Sequence, residues 1–149
     1  MKFMASVAKK LVGLLCAIAS TCSALDYVYE RDLIAATLIL EAGGENHVYS
    51  MVAVYEVIRN RSISRSQTMR DVILAPRQFS CWNNIERRKE LFNHATQHPK
   101  FDLALSIVRQ DRPTNITRGA TMYHATRVLP FWKTSYTETI TIQNHIFYK

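Results

Sequence analysis

The sequence predicts an α+β fold, a helical domain followed by a small C-terminal antiparallel sheet. Apolar residues recur at steps of three and four through "LIAATLILEAGG" and "NHVYSMVAVYEVIRNRS", the periodicity of helices that bury one face. In the last third the period falls to two, in "ATMYHAT" and "TETITIQNHIFYK", as in half-buried strands. With 149 residues, 48% of them apolar and 21% charged, the chain can bury one core without staples and is too evenly mixed for a disordered tail or a membrane bundle.

At the N-terminus, Lys2, Lys9 and Lys10 flank "LVGLLCAIASTCSAL", fifteen residues without a charge that close in small side chains. That order is the layout of a secretory signal peptide. The stretch also falls short of the roughly 20 residues that span a bilayer. The domain organisation expected is a signal peptide over residues 1–24, cleaved near Ala24 or retained as an anchor, and one domain over 25–149. An exported location follows, in the periplasm, the cell envelope or outside the cell, with transient membrane contact through the leader. Cleavage removes three lysines and no acid, so the formal charge falls from +7 to +4. It also removes Cys16 and Cys22 and leaves Cys81 alone, which excludes an intramolecular disulfide framework. A basic protein suits an anionic polymer, whether cell wall or nucleic acid.

The first helix is expected over residues 30–42, with Leu33, Ile34, Thr37, Leu38 and Glu41 on one face and Gly43 ending it in a left-handed turn. Asn46 is placed to cap a second helix, which carries Val48, Met51, Val52, Tyr55 and Ile58 inward and ends before the polar loop "SISRSQ". A short helix in "TMRDVILA" stops at Pro76, and "RQFSCWNN" reads as an irregular aromatic segment. Surface helices follow near 86–97 and 100–110, the second with Leu103, Ile107 and Val108 on its inner side. "DRPTNITRG" is a loop ahead of the strands.

Glu41 is the residue out of place. It shares the apolar face of the first helix and sits in the last turn, where the dipole disfavours a negative charge. Burial and the dipole both push such a carboxyl toward holding its proton, which is what a general acid for glycosidic cleavage requires. The alternative is a solvated side chain at a frayed helix end, and Glu45, beyond the glycines, is the rival acid.

The segments "LIAATLILEAGGENHVYSMVAVYEVIRNR", "ILAPRQFSCW", "GATMYHA", "LPFWK" and "NHIFYK" together resemble the SleB/CwlJ-type cell-wall hydrolases, over residues 30–149 and in the family's order. The resemblance implies a lysozyme-like α+β domain that cleaves the glycan strand of peptidoglycan between N-acetylmuramic acid and N-acetylglucosamine, with Glu41 as the catalytic acid/base. It implies a lytic transglycosylase, in which the sugar's own hydroxyl closes an anhydro ring; muramidase-type hydrolysis is the alternative. Gln143 departs from the family pattern, which has glycine ahead of the final "NH", and that puts the local turn in question.

Candidate substrate-binding residues surround that acid. Gln78, Ser80 and Trp82 offer the mixture of aromatic and polar groups that suits a sugar cleft, with Phe79 read as core and Trp82 left between core and cleft. Tyr123, His124, Trp132, Asn144 and His145 are expected to line the cleft from the sheet, the two histidines at its opposite ends. Asn60 either caps its helix or supports the glutamate. Cys81 reads as a small buried hydrophobe rather than a nucleophile. No H-x-x-x-H spacing marks a zinc site, and no metal or other cofactor is expected. Peptidoglycan is the expected partner, nucleic acid is not, and the chain is expected to be a monomer. From other classes, a secreted nuclease lacks a phosphate-cradling loop, and a non-catalytic wall-binding module has no use for Glu41.

Overall fold

The computed structural model describes residues 29–149, and residues 31–149 form one compact unit. The leader, with its cleavage site and its two cysteines, lies outside the described residues. The fold is α+β. Five α-helices come first among the described residues: α1 over residues 29–42, α2 Val48–Arg65, α3 Met69–Leu74, α4 Arg88–Thr96 and α5 Phe101–Gln110. The strands β1 Met122–Ala125, β2 Glu138–Ile142 and β3 His145–Tyr148 form one antiparallel sheet in the order β1-β3-β2.

Helix α1 is buried from Leu33 to Ile39 on every side, because α2, α3 and the 79–82 segment close around it. Its one polar interruption is internally satisfied. The Thr37 hydroxyl donates to the Leu33 carbonyl at 2.7 Å and accepts from Trp82 Nε1 at 3.0 Å, so neither group is left bare in the core. Trp82, 2% exposed, is therefore core and not a sugar platform.

Helix α2 is the central strut. Met51, Val54, Tyr55 and Ile58 pack into the main core, while Ala53 and Val57 face a second cluster with Ala120 and Phe147 under the sheet. The one-sided pattern expected from the sequence is thus incomplete, because two cores use one helix. Its ends also differ from expectation. His47, not Asn46, is the N-cap, accepting from the Tyr49 N–H at 3.4 Å. At the other end the helix absorbs Ser62 and Ser64 of "SISRSQ" and is capped by Ser66, whose φ of 51° lies in the left-handed region. Asn60 neither caps nor reaches the glutamate; its Nδ2 donates to the Ala120 carbonyl at 2.9 Å and ties α2 to the segment ahead of β1. In α5 the inner face is Ala104 and Val108, and Leu103 is exposed, since an inner stripe through Val108 runs back by four to Ala104.

Two turns fix where functional side chains end up. Gly43 is not left-handed. Glycine is needed there because a Cβ would lie 2.5 Å from the Ile39 carbonyl oxygen, the same oxygen that accepts from the Gly43 N–H at 2.8 Å. Lys100 then clamps the turn, its Nζ donating to the carbonyls of Gly43 at 2.9 Å and Glu45 at 2.7 Å. The β2–β3 turn keeps a left-handed position without glycine: Gln143 has φ 50°, and a side chain there costs about 1–2 kcal/mol. Gln143→Gly is expected to raise unfolding stability by about 1 kcal/mol in denaturant titration; a loss of stability would show that the side chain contributes more than its backbone costs.

Candidate active site

The helix end and the sheet meet at a cleft of about 500 Å³ whose lining includes Glu41, Arg61, Arg77, Gln78, Ser80, Cys81, Tyr123, His124, Arg127 and His145. Among the described residues Glu41 is the one carboxylate on its wall. The side chain is held from two directions. Tyr123 Oη donates to Oε2 at 2.8 Å, and the Cys81 thiol donates to Oε1 at 3.4 Å. Helix α1 supplies the acid, β1 the phenol and the 3₁₀ turn Ser80–Trp82 the thiol.

Both donors are held in their protonated forms. Burial first, and then the neighbouring Glu41, push the Tyr123 phenol well above its ordinary range, and the same two causes push the Cys81 thiol up. A thiol so placed carries little thiolate, which argues against nucleophilic use of Cys81.

Tyr123 itself is fixed by packing. Its ring stacks on Phe147 at 5.6 Å, meets the His145 ring edge at 5.2 Å and tilts against Phe79 at 6.5 Å. Arg61, 3% exposed, anchors the start of β1 by donating from Nε to the Thr121 carbonyl at 2.6 Å, while its guanidinium lies 5.3 Å from the Phe79 ring centroid. Burial lowers this guanidinium to about 10; it remains charged at neutral pH.

Glu45 does not line the cleft but stands behind one of its walls. Its Oε2 takes a short hydrogen bond from Ser50 Oγ, and its Oε1 lies 2.9 Å from His145 Nδ1. The imidazole N–H is out of line with that oxygen, so the contact is electrostatic rather than a formed hydrogen bond. Both side chains are 9% exposed. The arrangement turns Nδ1 toward the acid and leaves Nε2 as the nitrogen for the cleft.

His124 is differently committed. Nδ1 lies 2.9 Å from the Ala125 carbonyl and Nε2 lies 2.9 Å from the Tyr148 hydroxyl. A carbonyl only accepts, so in the neutral ring Nδ1 carries the proton and Nε2 accepts from the phenol. His124 and His145 are not at opposite ends of the sheet. Antiparallel pairing sets Ala125 opposite His145, which brings the two histidines to one end on adjacent strands.

The expected cleft residues therefore divide. Gln78, Ser80, Tyr123, His124 and His145 join Glu41 on the wall, with Gln78 Oε1 held by Arg65 at 3.1 Å. Trp82 is buried, Trp132 packs edge-on against His124 and Tyr148 away from the lining, and Asn144 is exposed in the β2–β3 turn. The Glu45–His145 pair and the arginines were missed, because nothing local in the sequence joins residues a hundred positions apart. Among the described residues no group of three or more His, Cys, Asp or Glu side chains is placed to hold a metal ion.

Cys81 is accordingly expected to react with iodoacetamide at pH 8 more than about tenfold more slowly than an unshifted thiol, and Cys81→Ala to keep most activity. Fast alkylation, or an inactive but folded variant, would contradict this placement.

No curated protein sequence and no solved structure matches the chain. A family described as Cell Wall Hydrolase matches residues 45–148, a span that holds Glu45, Arg61, Cys81, Tyr123 and His145 and begins just after Glu41. Membership supports an enzyme that degrades cell-wall peptidoglycan, an activity typical of the cell envelope or the extracellular space. With more than half of its length matched, the chain belongs to the Cell Wall Hydrolase family, the domain family of the SleB/CwlJ enzymes.

Proposed function

We propose that the chain cleaves the peptidoglycan glycan strand between N-acetylmuramic acid and N-acetylglucosamine as a lytic transglycosylase, with Glu41 as the catalytic acid and then base. The observation that carries this reading is the setting of Glu41: a carboxyl on the cleft wall, with both oxygens engaged by neutral donors and no second carboxylate on that wall among the described residues.

In this reading protonated Glu41 delivers its proton to the glycosidic oxygen as the C1–O bond breaks. The muramic C6 hydroxyl then attacks the oxocarbenium-like C1, and its proton returns to the Glu41 carboxylate. The products are an anhydromuramic end and a free N-acetylglucosamine hydroxyl, and the enzyme is regenerated. Tyr123 Oη steadies the carboxylate between the two transfers, and the weak Cys81 thiol donor adds little. Export through the leader brings the enzyme to its polymer.

Hydrolysis is the second reading. His145, backed by Glu45, lines the same cleft and offers a nitrogen on which a water could be held.

Digestion of purified peptidoglycan with product analysis by mass spectrometry tests the assignment. Glu41→Gln is expected to fold and lose activity by about 10²–10⁴-fold. Tyr123→Phe is expected to lose about 10–100-fold, the worth of a hydrogen bond to a charged group. Glu45→Gln, which removes the carboxylate that faces His145 and accepts from Ser50, should keep the anhydromuramic products at a lower rate. Full activity in folded Glu41→Gln would remove Glu41 from the chemistry.

A further inference from the structure

The charges on the cleft wall are unbalanced. Arg61, Arg77 and Arg127 line the space that Glu41 faces, three fixed cations against one carboxylate, in a chain whose formal charge is spread over nineteen basic and twelve acidic residues. Cleavage of a neutral sugar strand needs none of them. Two of the arginines are also specifically built. Arg77 sits in a left-handed backbone conformation, φ 62°, with its N–H tied to Asn83 Oδ1 at 3.0 Å, an arrangement that an L side chain adopts only at a cost. Arg61 is 3% exposed, and its Nη1 is buried without an acceptor among the described residues. A buried guanidinium nitrogen left unpaired is costly unless a ligand completes it.

We propose that the cleft selects anionic glycan strands, reading free carboxylates of the peptide-substituted muramic residues through Arg61, Arg77 and Arg127. This rests on the peptidoglycan reading above and adds a substrate preference to it. Arginine suits the task because its planar fork meets a carboxylate through two parallel hydrogen bonds. Arg77 and Arg127 are exposed and meet the substrate at the rim, where salt weakens them. Arg61 lies deeper, and its Nη1 donates to a carboxylate oxygen that enters the cleft. A strand whose carboxylates have been made neutral loses these contacts and keeps the sugar contacts.

The test uses the full chain carrying Glu41→Gln, so that binding is read without turnover. Its cosedimentation is measured with native sacculi and with sacculi whose carboxyl groups have been amidated by carbodiimide and ammonia. Amidation is expected to weaken binding by about tenfold or more. Adding Arg77→Gln and Arg127→Gln should remove most of that difference. Adding Arg109→Gln and Arg112→Gln, exposed arginines outside the cleft that carry the same charge, should preserve it. Equal binding to both sacculi would overturn the proposal, as would equal loss in the two double variants, since net charge would then suffice. Failure of the cleavage reading would show elsewhere, as an absence of glycan fragments from the unmodified chain, and would leave this binding comparison intact.

Discussion

The hydrogen bond from Tyr123 to Glu41 joins the two halves of the fold. It spans 82 positions of sequence and 2.8 Å of space, with the acid on the last turn of α1 and the phenol on β1. For it to form, α1 must end where Gly43 lets the chain pass Ile39, and β1 must be docked against α2. Asn60 and Arg61 provide that docking through the carbonyls of Ala120 and Thr121. Tyr123 also packs against both hydrophobic clusters, so its position is set by the helical core and by the sheet together. A shift in either core would reach the carboxyl.

A second acid shows that burial alone does not place a carboxyl on the cleft. Glu56 is 6% exposed on α2, between Tyr55 and Val57, and is as misplaced in an apolar pattern as Glu41. Its oxygens are consumed. Oε2 accepts from the Thr117 N–H at 2.7 Å and the Thr117 hydroxyl at 2.6 Å, and Oε1 from Thr114 at 3.3 Å, which pins the loop ahead of β1. Glu41 instead opens onto a cleft. The physical distinction is between an acid whose acceptor sites are closed by the fold and one that keeps a face open to the cleft.

Much of the architecture was legible because periodicity is local. The helices and the change of period at β1 follow from residues that neighbour one another in sequence, and so does the short helix between Thr68 and Pro76. Errors fell where tertiary contact decides. Trp82 could not be placed by composition, since its burial depends on the Thr37 hydroxyl 45 positions away. Gly43 ends the helix as its position implies, but without the left-handed conformation expected of it. Gln143 departs from the family pattern in residue type while keeping the backbone conformation that glycine favours. In the site, Glu41 was legible from one helix, whereas the Glu45–His145 contact and the arginine lining required the folded chain.

The central claim is that one carboxyl serves both proton transfers while the sugar's own hydroxyl attacks C1. Digestion in water enriched in oxygen-18 tests it most directly, with the new muramic ends read by mass spectrometry. Intramolecular attack predicts anhydromuramic ends that carry no label, because no solvent oxygen enters the product. Muramic ends that are reducing and labelled from the first turnover would contradict the account and assign the attack to water.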